Sequence, residues 1–428
     1  MAELGKSLNG IQLKPPRVGL SAWAPLHEPL FRSLWIAAVI SYTGRWIQSV
    51  GSGWLMASLT VSPMMVSLVQ AASSLPAFLV ILPAGALADM VDRRRLLLVT
   101  QTWMVVAAAA LGLLAIFGMV TPWVLLVFTF MMGIGAVMND PAWQAITPEV
   151  VSEKNFASGV ALNSAGYNVA RAVGPALGGI IIAAAGFGLA FLLNAASLFG
   201  VIFFLIRWKR RPHDQPVPRV RVMRAMHTGF EYVRHSHEVK AVLVRTAVFS
   251  FSATALLAML PLIARPFGSI GYGALLGFFG AGALGGAIAL PAVRRVVPVN
   301  ALVALATVLF AATTMLSGRV HGFAVLCAVL FAGGVAWIAI VASLNVSAQT
   351  MSPAWLRART LSIYLLVLQG GMAAGSAAWG AVGERWGIPN AMLFSALGLL
   401  AGLLTIRHFR LRADGFTYPP SAASETIT

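Results

Sequence analysis

Apolar residues occur along this chain in long stretches separated by short turns rich in Gly, Pro, Arg and polar residues. A helix of about 20 apolar residues spans the hydrocarbon core of a bilayer, so each stretch predicts one transmembrane helix. In the first half of the chain the predicted helices cover about 33–58, 63–88, 96–118, 122–147, 158–185 and 187–207. In the second half they cover about 241–263, 271–292, 299–317, 321–345, 359–382 and 389–407. The pattern therefore predicts an all-α membrane protein with twelve transmembrane helices.

The two sets of six predicted helices resemble each other. The turn after the second helix, Gly85 to Arg95, has a counterpart after the eighth helix, where Gly286 is followed by Leu290 and two arginines. Duplicated halves are common in carriers whose substrate path opens alternately to each side. We therefore predict two pseudo-symmetric six-helix halves, with an N-terminal half at 1–207, a linker at 208–240, a second half at 241–407 and a tail at 408–428.

Composition and charge distribution both indicate a membrane environment. Apolar residues make up 59% of the chain and charged residues 10%, against roughly 45–50% and 25% in soluble domains. The net charge of +17 does not indicate nucleic-acid binding, because most Lys and Arg lie on the terminal segments and on the loops of one side. The loops of the other side carry Arg265, Arg319 and Arg385. Since basic loops stay in the cytoplasm, we predict a multi-pass protein of the bacterial inner membrane with both termini cytoplasmic.

The segments outside the helices offer little chemistry. Residues 221–240 alternate apolar and charged side chains near a helical period, which fits an amphipathic surface helix and a solvated linker equally well. The single Cys327 lies within a predicted helix, so no disulfide, metal or cofactor is predicted. The linker histidines lack a Cys or a pair of acids beside them, which disfavours a membrane-embedded transferase. We predict a monomer that is not an enzyme.

The turn after the second helix carries the first family resemblance. Gly85, Asp89, Arg93 and Arg94 match the signature of the major facilitator superfamily, which the chain resembles, whereas Met90 and Asp92 depart from it. In that superfamily the Asp holds the two halves together on the cytoplasmic side, near the start of helix 11. The resemblance therefore implies a gating role for Asp89, against the alternative of a solvated carboxylate at a helix end. The second copy has Leu290 at this position, so a corresponding change there is expected to be mild.

A second motif lies in the fifth helix. Gly174, Pro175, Gly178 and Gly179 resemble the glycine-rich motif of superfamily exporters, although small residues also serve ordinary helix packing. Longer stretches between residues 31 and 210 resemble the enterobactin-exporter-like branch, whose members export siderophores, macrolides and other medium-sized molecules. The resemblance implies a proton-coupled secondary active exporter of a small organic molecule, siderophore-like, macrolide-like or otherwise drug-like. An importer of a small metabolite on the same fold is the alternative.

Charged residues at membrane depth are the candidate binding groups. Arg45 and Arg171 lie near the middle of their predicted helices, and no acid is predicted at the same depth. Two guanidiniums without counter-ions would suit an anionic or phenolic cargo, unless each one only holds helices together through polar partners. The predicted substrate-binding residues are Arg45, Trp46, Gln48, Asn168 and Arg171. Further aromatic residues that could stack on cargo are Trp54, Trp143, Tyr167 and Trp337.

Asp140 is the predicted proton-coupling residue. It approaches the bilayer from the cytoplasmic side next to Pro141, and it could instead be a hydrogen-bonded acid that shapes the end of the fourth helix. Thr129 stands where many proton-driven exporters of the superfamily have Arg, so that relay is missing.

Overall fold

The computed structural model describes residues 23–208, 236–353 and 356–409, nearly all of which are helical. The first helices are α1 Pro29–Leu59, α2 Pro63–Met90, α3 Arg93–Ile116, α4 Pro122–Val150 and the segment Phe156–Arg207, which contains α5 (156–185) and α6 (187–207). The others are α7 His237–Ile263, α8 Gly268–Val296, α9 Val299–Ser317, α10 Phe323–Thr350, α11 Arg357–Trp386 and α12 Ile388–Gly402. The prediction of twelve helices is confirmed, although α12 ends earlier than expected and α7 begins earlier.

Local sequence explains most helix ends. Pro29, Pro63 and Pro122 occupy the first turns of α1, α2 and α4, where the missing N–H of proline is not needed. Asp92 accepts a hydrogen bond from the Arg95 amide at the start of α3, at 2.9 Å. Thr121 caps α4 in the same way. Such caps satisfy amides that have no partner inside the helix.

Gly186 separates α5 from α6. Its φ of 79° and ψ of 177° are incompatible with a helix and are readily adopted only by glycine. Gly387, with φ of 82°, separates α11 from α12 in the same way. These two glycines are as far apart in sequence as Gly85 and Gly286, so the breaks between helices follow the internal repeat.

Helix packing shows the pseudo-symmetry of the two halves. In the first half α2 packs on α4, and α3 packs on α4; in the second half α8 packs on α10, and α9 packs on α10. The contact between α1 and the α5–α6 segment corresponds to the contact between α7 and α11. Each helix of the second half therefore has the same packing position in its half as the helix six places earlier in the chain has in the first half. The twelve helices form two pseudo-symmetric six-helix halves, as the sequence predicts.

Most helices are apolar enough to cross a membrane. Within the described residues, nine helical segments meet a criterion of length and apolarity, and one of them is Phe156–Arg207, which contains two helices. The two remaining helices are α12, which has 15 residues, and α1. Because α1 carries Arg45, Gln48 and several serines, it is less apolar than its neighbours, and four of these residues, Arg45, Gln48, Ser49 and Ser52, line the cavity described below.

The two halves meet along two helix pairs, α2 with α11 and α5 with α8. The backbones approach closely there because small residues face each other. A Cβ added to Gly380 of α11 would lie 3.1 Å from the Cα of Met64 on α2. A Cβ added to Gly273 of α8 would meet the carbonyl oxygen of Pro175 on α5 and lie 3.0 Å from the Gly179 Cα. The predicted domain boundaries stay a prediction, because residues 209–235, which hold most of the predicted surface helix, lie outside the described residues.

Candidate functional site

A cavity of about 240 Å³ lies between the two halves, near the middle of the bundle. It is lined by α1, α2, α3 and α4 of the first half, with α7 and α8 of the second half on the other side. The polar lining residues are Arg45, Gln48, Ser49, Ser52, Gln70, Ser73, Thr129 and Tyr272. The remaining lining is apolar or glycine, including Val66, Val69, Met104, Met132, Leu257 and Pro261. The cavity therefore offers hydroxyl and amide groups on an apolar wall.

Arg45 has a carboxylate partner in the structure. Its Nη1 lies 3.6 Å from Oδ1 of Asp140 on α4. The prediction that Arg45 lacks a counter-ion is therefore wrong, because α1 packs on α4 and brings the two side chains together, which counting residues along each helix does not show. The Arg45 guanidinium also lies over the Tyr42 ring, 5.5 Å from its centroid, which is cation–π distance. Tyr42 packs edge-on against Tyr167 of α5.

Exposure along this part of the bundle indicates where the cavity opens. The side chain of Asp140 is 54% exposed and that of Arg45 is 28% exposed, whereas Gln48, one turn deeper in α1, is 7% exposed. We call the end of the bundle with Arg93, Arg94, Arg207 and Arg294 the Arg-rich end, and the other end, with Arg265 and Glu384, the far end. Access to the cavity therefore runs past the Arg45–Asp140 pair from the Arg-rich end.

Hydrogen bonds between the halves close the far end. Glu384, in the last turn of α11, accepts a hydrogen bond from the Ser62 hydroxyl at 2.7 Å and one from the Met64 amide at 3.2 Å. Ser62 is the N-cap of α2, so a carboxylate from the second half completes the capping of a first-half helix. Arg265 donates to the carbonyl oxygens of Ala57 and Thr60 at the end of α1. Both contacts place a charge at the helix end of opposite partial charge.

Of the predicted binding residues, Arg45 and Gln48 line the cavity. Gln48 is buried, and its Oε1 accepts a hydrogen bond from Asn194 Nδ2 of α6 at 3.2 Å. Trp46, Asn168 and Arg171 are not among the residues that line the described cavity. The Trp46 Cβ packs close to Gly174 of α5, and the Asn168 amide donates to the Ser164 carbonyl of its own helix. These contacts favour a packing role for both residues.

Arg171 lies on α5 where this helix meets α8. A Cβ added to Gly280 of α8 would lie 2.8 Å from the Arg171 carbonyl oxygen. The side chain is partly buried. This contact involves the backbone of Arg171, so the role of its guanidinium stays a prediction.

The motif residues of the turn between α2 and α3 bind within the first half. Arg93 forms an ion pair with Glu149 of α4 at 3.1 Å. Arg94 donates to the carbonyl oxygens of Leu205 and Ile206 at the end of α6, at 2.6 and 2.8 Å. Gly85 and Asp89 belong to α2, but the Asp89 side chain lies outside the described part of the structure. The gating role of Asp89 stays a prediction.

The glycine motif of α5 contacts both halves. A Cβ added to Gly178 would lie 3.1 Å from the Ile47 Cα, and one added to Gly174 would lie 2.6 Å from the Trp46 Cβ, both on α1. Gly179, in contrast, faces α8, and its carbonyl oxygen accepts a hydrogen bond from the Ser269 hydroxyl at 3.1 Å. The motif therefore packs the cavity-lining α1 on one side and the second half on the other, and Pro175 lies buried between these contacts.

Sequence reasoning missed several of the residues that line the cavity. Gln70, Ser73 and Tyr272 are uncharged, and only their position on a cavity-facing side distinguishes them from ordinary helix residues. Tyr272 stacks on Trp54 with ring centroids 5.9 Å apart. Trp54, one of the predicted aromatic residues, therefore lies next to the cavity. Trp337 instead packs among Phe249, Phe279 and Phe310 in the core of the second half, 8% exposed, so it is not a cargo contact in this structure.

Replacing Glu384 by Ala is expected to favour opening of the far end. The variant loses two hydrogen bonds to a carboxylate, but both are exposed, so we expect a loss of about 1 kcal/mol, or about fivefold in the ratio of closed to open far ends. Spin labels on Met119→Cys and Arg319→Cys, in a Cys327→Ala background, would report the distance across this end. Arg385→Ala, at the neighbouring exposed position, is the matched control. An unchanged distance distribution in Glu384→Ala would show that the contact does not hold the end closed.

Comparisons with known proteins agree with this architecture. The sequence profile of the transmembrane secretion effector family matches residues 20–422. The chain is 27% identical to the staphyloferrin A transporter of Staphylococcus aureus over 164 residues, which are 38% of this chain and 41% of the relative. It is 30% identical to the multidrug efflux pump Tap of Mycolicibacterium fortuitum over 156 residues, which are 35% of this chain and 38% of the relative. The matched segments thus cover less than half of each of these two relatives.

Solved structures share the fold. A crystal structure of the nucleoside transporter NupG superposes on this chain with a TM-score of 0.73 at 11% identity, covering 89% of this chain and 100% of that structure. At this identity the likeness shows the fold alone. The twelve helices in two pseudo-symmetric halves, the cavity between them and the family match together show that the chain belongs to the transmembrane secretion effector family of the major facilitator superfamily.

Proposed function

We propose that this protein is a secondary active exporter that moves a small organic molecule out of the bacterial cytoplasm by alternating access. The observation that carries the proposal is the central cavity, which lies between two pseudo-symmetric halves, opens toward the Arg-rich end and is closed at the far end by Glu384 and Arg265. A carrier needs a site that faces one side at a time, and rocking of the halves would transfer access to the other side.

The orientation of this cavity follows from the distribution of charge. The Arg-rich end carries most of the basic residues, and basic loops remain cytoplasmic during insertion. On this basis the termini, the Arg-rich end and the cavity entrance face the cytoplasm of a bacterial inner membrane. The similarity to the multidrug efflux pump Tap supports outward movement of an organic molecule, and the similarity to the staphyloferrin A transporter supports a small organic cargo.

The Arg45–Asp140 pair is the proposed coupling element. At 3.6 Å the contact is loose, and with Asp140 more than half exposed it lies where a proton from the cytoplasmic side or a cargo can reach it. A proton on Asp140 would remove the negative charge that now faces Arg45 and release the guanidinium. Separation of this pair would therefore link the protonation of Asp140 to events in the cavity that Arg45 lines.

Direction of transport is the test of this proposal. Inside-out membrane vesicles containing the protein are expected to accumulate a compound from a panel of siderophores, macrolides and aromatic drugs, and cells lacking the protein are expected to retain more of it. Collapse of the pH gradient is expected to stop the accumulation. Uptake into intact cells that rises with expression would instead identify an importer and contradict the proposal.

A further inference from the structure

Two buried side-chain atoms on the cavity wall lack a hydrogen-bond partner. Within the described residues, Gln48 Nε2 and Thr129 Oγ1 have neither a partner nor accessible surface of their own, and the two residues are 7% and 8% exposed. Gln48 lies on α1 and Thr129 on α4, and both line the central cavity. A buried polar group without a partner is destabilising, and few such groups persist in proteins without a reason.

In the orientation that the structure gives the Gln48 and Asn194 amides, neither Gln48 Nε2 nor Thr129 Oγ1 has a partner on the surrounding helices, and Asn194 Oδ1 has none either. The Gln48 carbonyl is already used by Asn194, which leaves the amide nitrogen of Gln48 with two free hydrogens. Thr129 lies about two turns into α4, where a threonine hydroxyl commonly bonds to a carbonyl of the preceding turn, yet it makes no such bond here. Both groups can donate, and a small rotation of each side chain would direct the donor into the cavity.

The charges at the cavity entrance do not require an ionic cargo. The positive charge of Arg45 already faces the carboxylate of Asp140. Of the remaining lining residues, none is charged, and Ser73 donates its hydroxyl to the Val69 carbonyl of its own helix at 2.9 Å. The stacked Trp54–Tyr272 pair places an aromatic group beside the same cavity. The two buried atoms without a partner on this wall, Gln48 Nε2 and Thr129 Oγ1, are therefore both able to donate, and they lie among apolar and aromatic side chains.

We infer that the cavity binds a flat or apolar molecule through an uncharged oxygen acceptor, such as a lactone, ester, ketone or amide carbonyl, with Gln48 and Thr129 as the donors. The inference rests on the proposed function, since it names the cargo class of the same cavity. It replaces the expected anionic or phenolic cargo, because the expected lack of a counter-ion for Arg45 is wrong. It also makes Thr129 a specificity-determining residue.

Three bicyclic probes of similar size distinguish binding through a cargo acceptor, binding through a cargo donor and binding through apolar contact alone. Coumarin carries a lactone carbonyl and only accepts hydrogen bonds, indole carries an N–H and only donates, and naphthalene does neither. Binding to the full chain in lipid nanodiscs is measured by equilibrium dialysis, with empty nanodiscs subtracted to remove partitioning into lipid. The wild type is expected to bind coumarin more tightly than naphthalene, because the carbonyl fills the unmet donors.

Thr129→Val removes the hydroxyl while keeping the shape of the side chain. It is expected to weaken coumarin binding about three- to tenfold and to leave naphthalene binding unchanged. The paired change Gln48→Leu with Asn194→Leu removes the Gln48 donor without leaving Asn194 unpaired, and is expected to act in the same direction. Thr43→Val is the matched control, since Thr43 does not line the cavity and its hydroxyl already donates to the Val39 carbonyl of its own helix, and this change is expected to leave all three probes unaffected. The melting temperature of the empty Thr129→Val variant is expected to equal or exceed that of the wild type, because an unpartnered polar group is removed.

Any other result of these binding measurements would contradict the inference. Equal weakening of all three probes would give Thr129 and Gln48 a purely steric role, and no change would leave them without a role in binding. A selective loss of indole binding in the Gln48 variant would show that Gln48 presents its carbonyl to the cavity. Because these measurements are made at equilibrium, failure of export in vesicles together with intact discrimination between probes would reject the proposed function and leave the acceptor-binding site standing.

Discussion

Asp140→Asn is expected to leave folding intact and to make export insensitive to the proton gradient. The pair with Arg45 is loose and partly exposed, so its contribution to stability is expected to be within about 1 kcal/mol, as for other exposed ion pairs. Its contribution to transport is expected to be far larger, because the variant keeps the shape of the side chain but can no longer change charge. We expect gradient-driven accumulation in inside-out vesicles to fall at least about tenfold, and what remains to be the same with and without a gradient.

Changes at Arg45 test the same pair from the other side. Arg45→Ala leaves the Asp140 carboxylate without its cation, whereas Arg45→Lys keeps the charge and loses the planar fork. We expect both variants to insert normally, with Lys retaining more transport than Ala, and the double variant Arg45→Ala with Asp140→Ala to regain stability but not gradient dependence. If Arg45→Ala unfolds in mild detergent, the pair is structural. Wild-type gradient dependence in Asp140→Asn would exclude Asp140 as the coupling residue.

Asp89→Asn is expected to reduce transport by an order of magnitude or more with normal expression and insertion. The expectation comes from the superfamily signature that Gly85, Asp89, Arg93 and Arg94 match. In the structure the two arginines bind within the first half, to Glu149 and to the last carbonyls of α6. Asp89 stands near the end of α2, which packs along α11. Holding the two halves together at the Arg-rich end is the role that the superfamily resemblance implies for it.

The control for Asp89 is the equivalent position of the second half. Leu290 is 8% exposed and belongs to the main apolar core, so a polar residue there would disturb packing. Leu290→Met conserves volume and is the better control, with an expected stability loss below about 1.5 kcal/mol and normal transport. Efflux from cells is the measurement for both variants. Near-normal efflux by a well-expressed Asp89→Asn variant would contradict the gating role.

The sequence determined the number and order of the helices. Each apolar stretch can satisfy its backbone hydrogen bonds within lipid only as a helix, so hydropathy and length suffice. The break at Gly186 was also predictable, because the apolar run of 158–207 is too long for one crossing and a glycine lies near its middle. The glycine motif of α5 predicted close helix packing, and the structure shows which neighbours use it: α1 at Gly174 and Gly178, and α8 at Gly179.

Only the tertiary structure decided which polar residues meet. Arg45 on α1 and Asp140 on α4 are both visible in the sequence, but their contact depends on the tilt of each helix and its rotation about its own axis. These are set by packing against neighbouring helices, which hydropathy does not encode. For the same reason the sequence could not show that Gln48 lines the cavity while Asn168 bonds to its own helix. Nor could it show that Glu384 of the second half caps α2 of the first half. The bilayer requires each apolar segment to be a helix long enough to span it. The side of each helix that faces the cavity is fixed only when all twelve helices pack together.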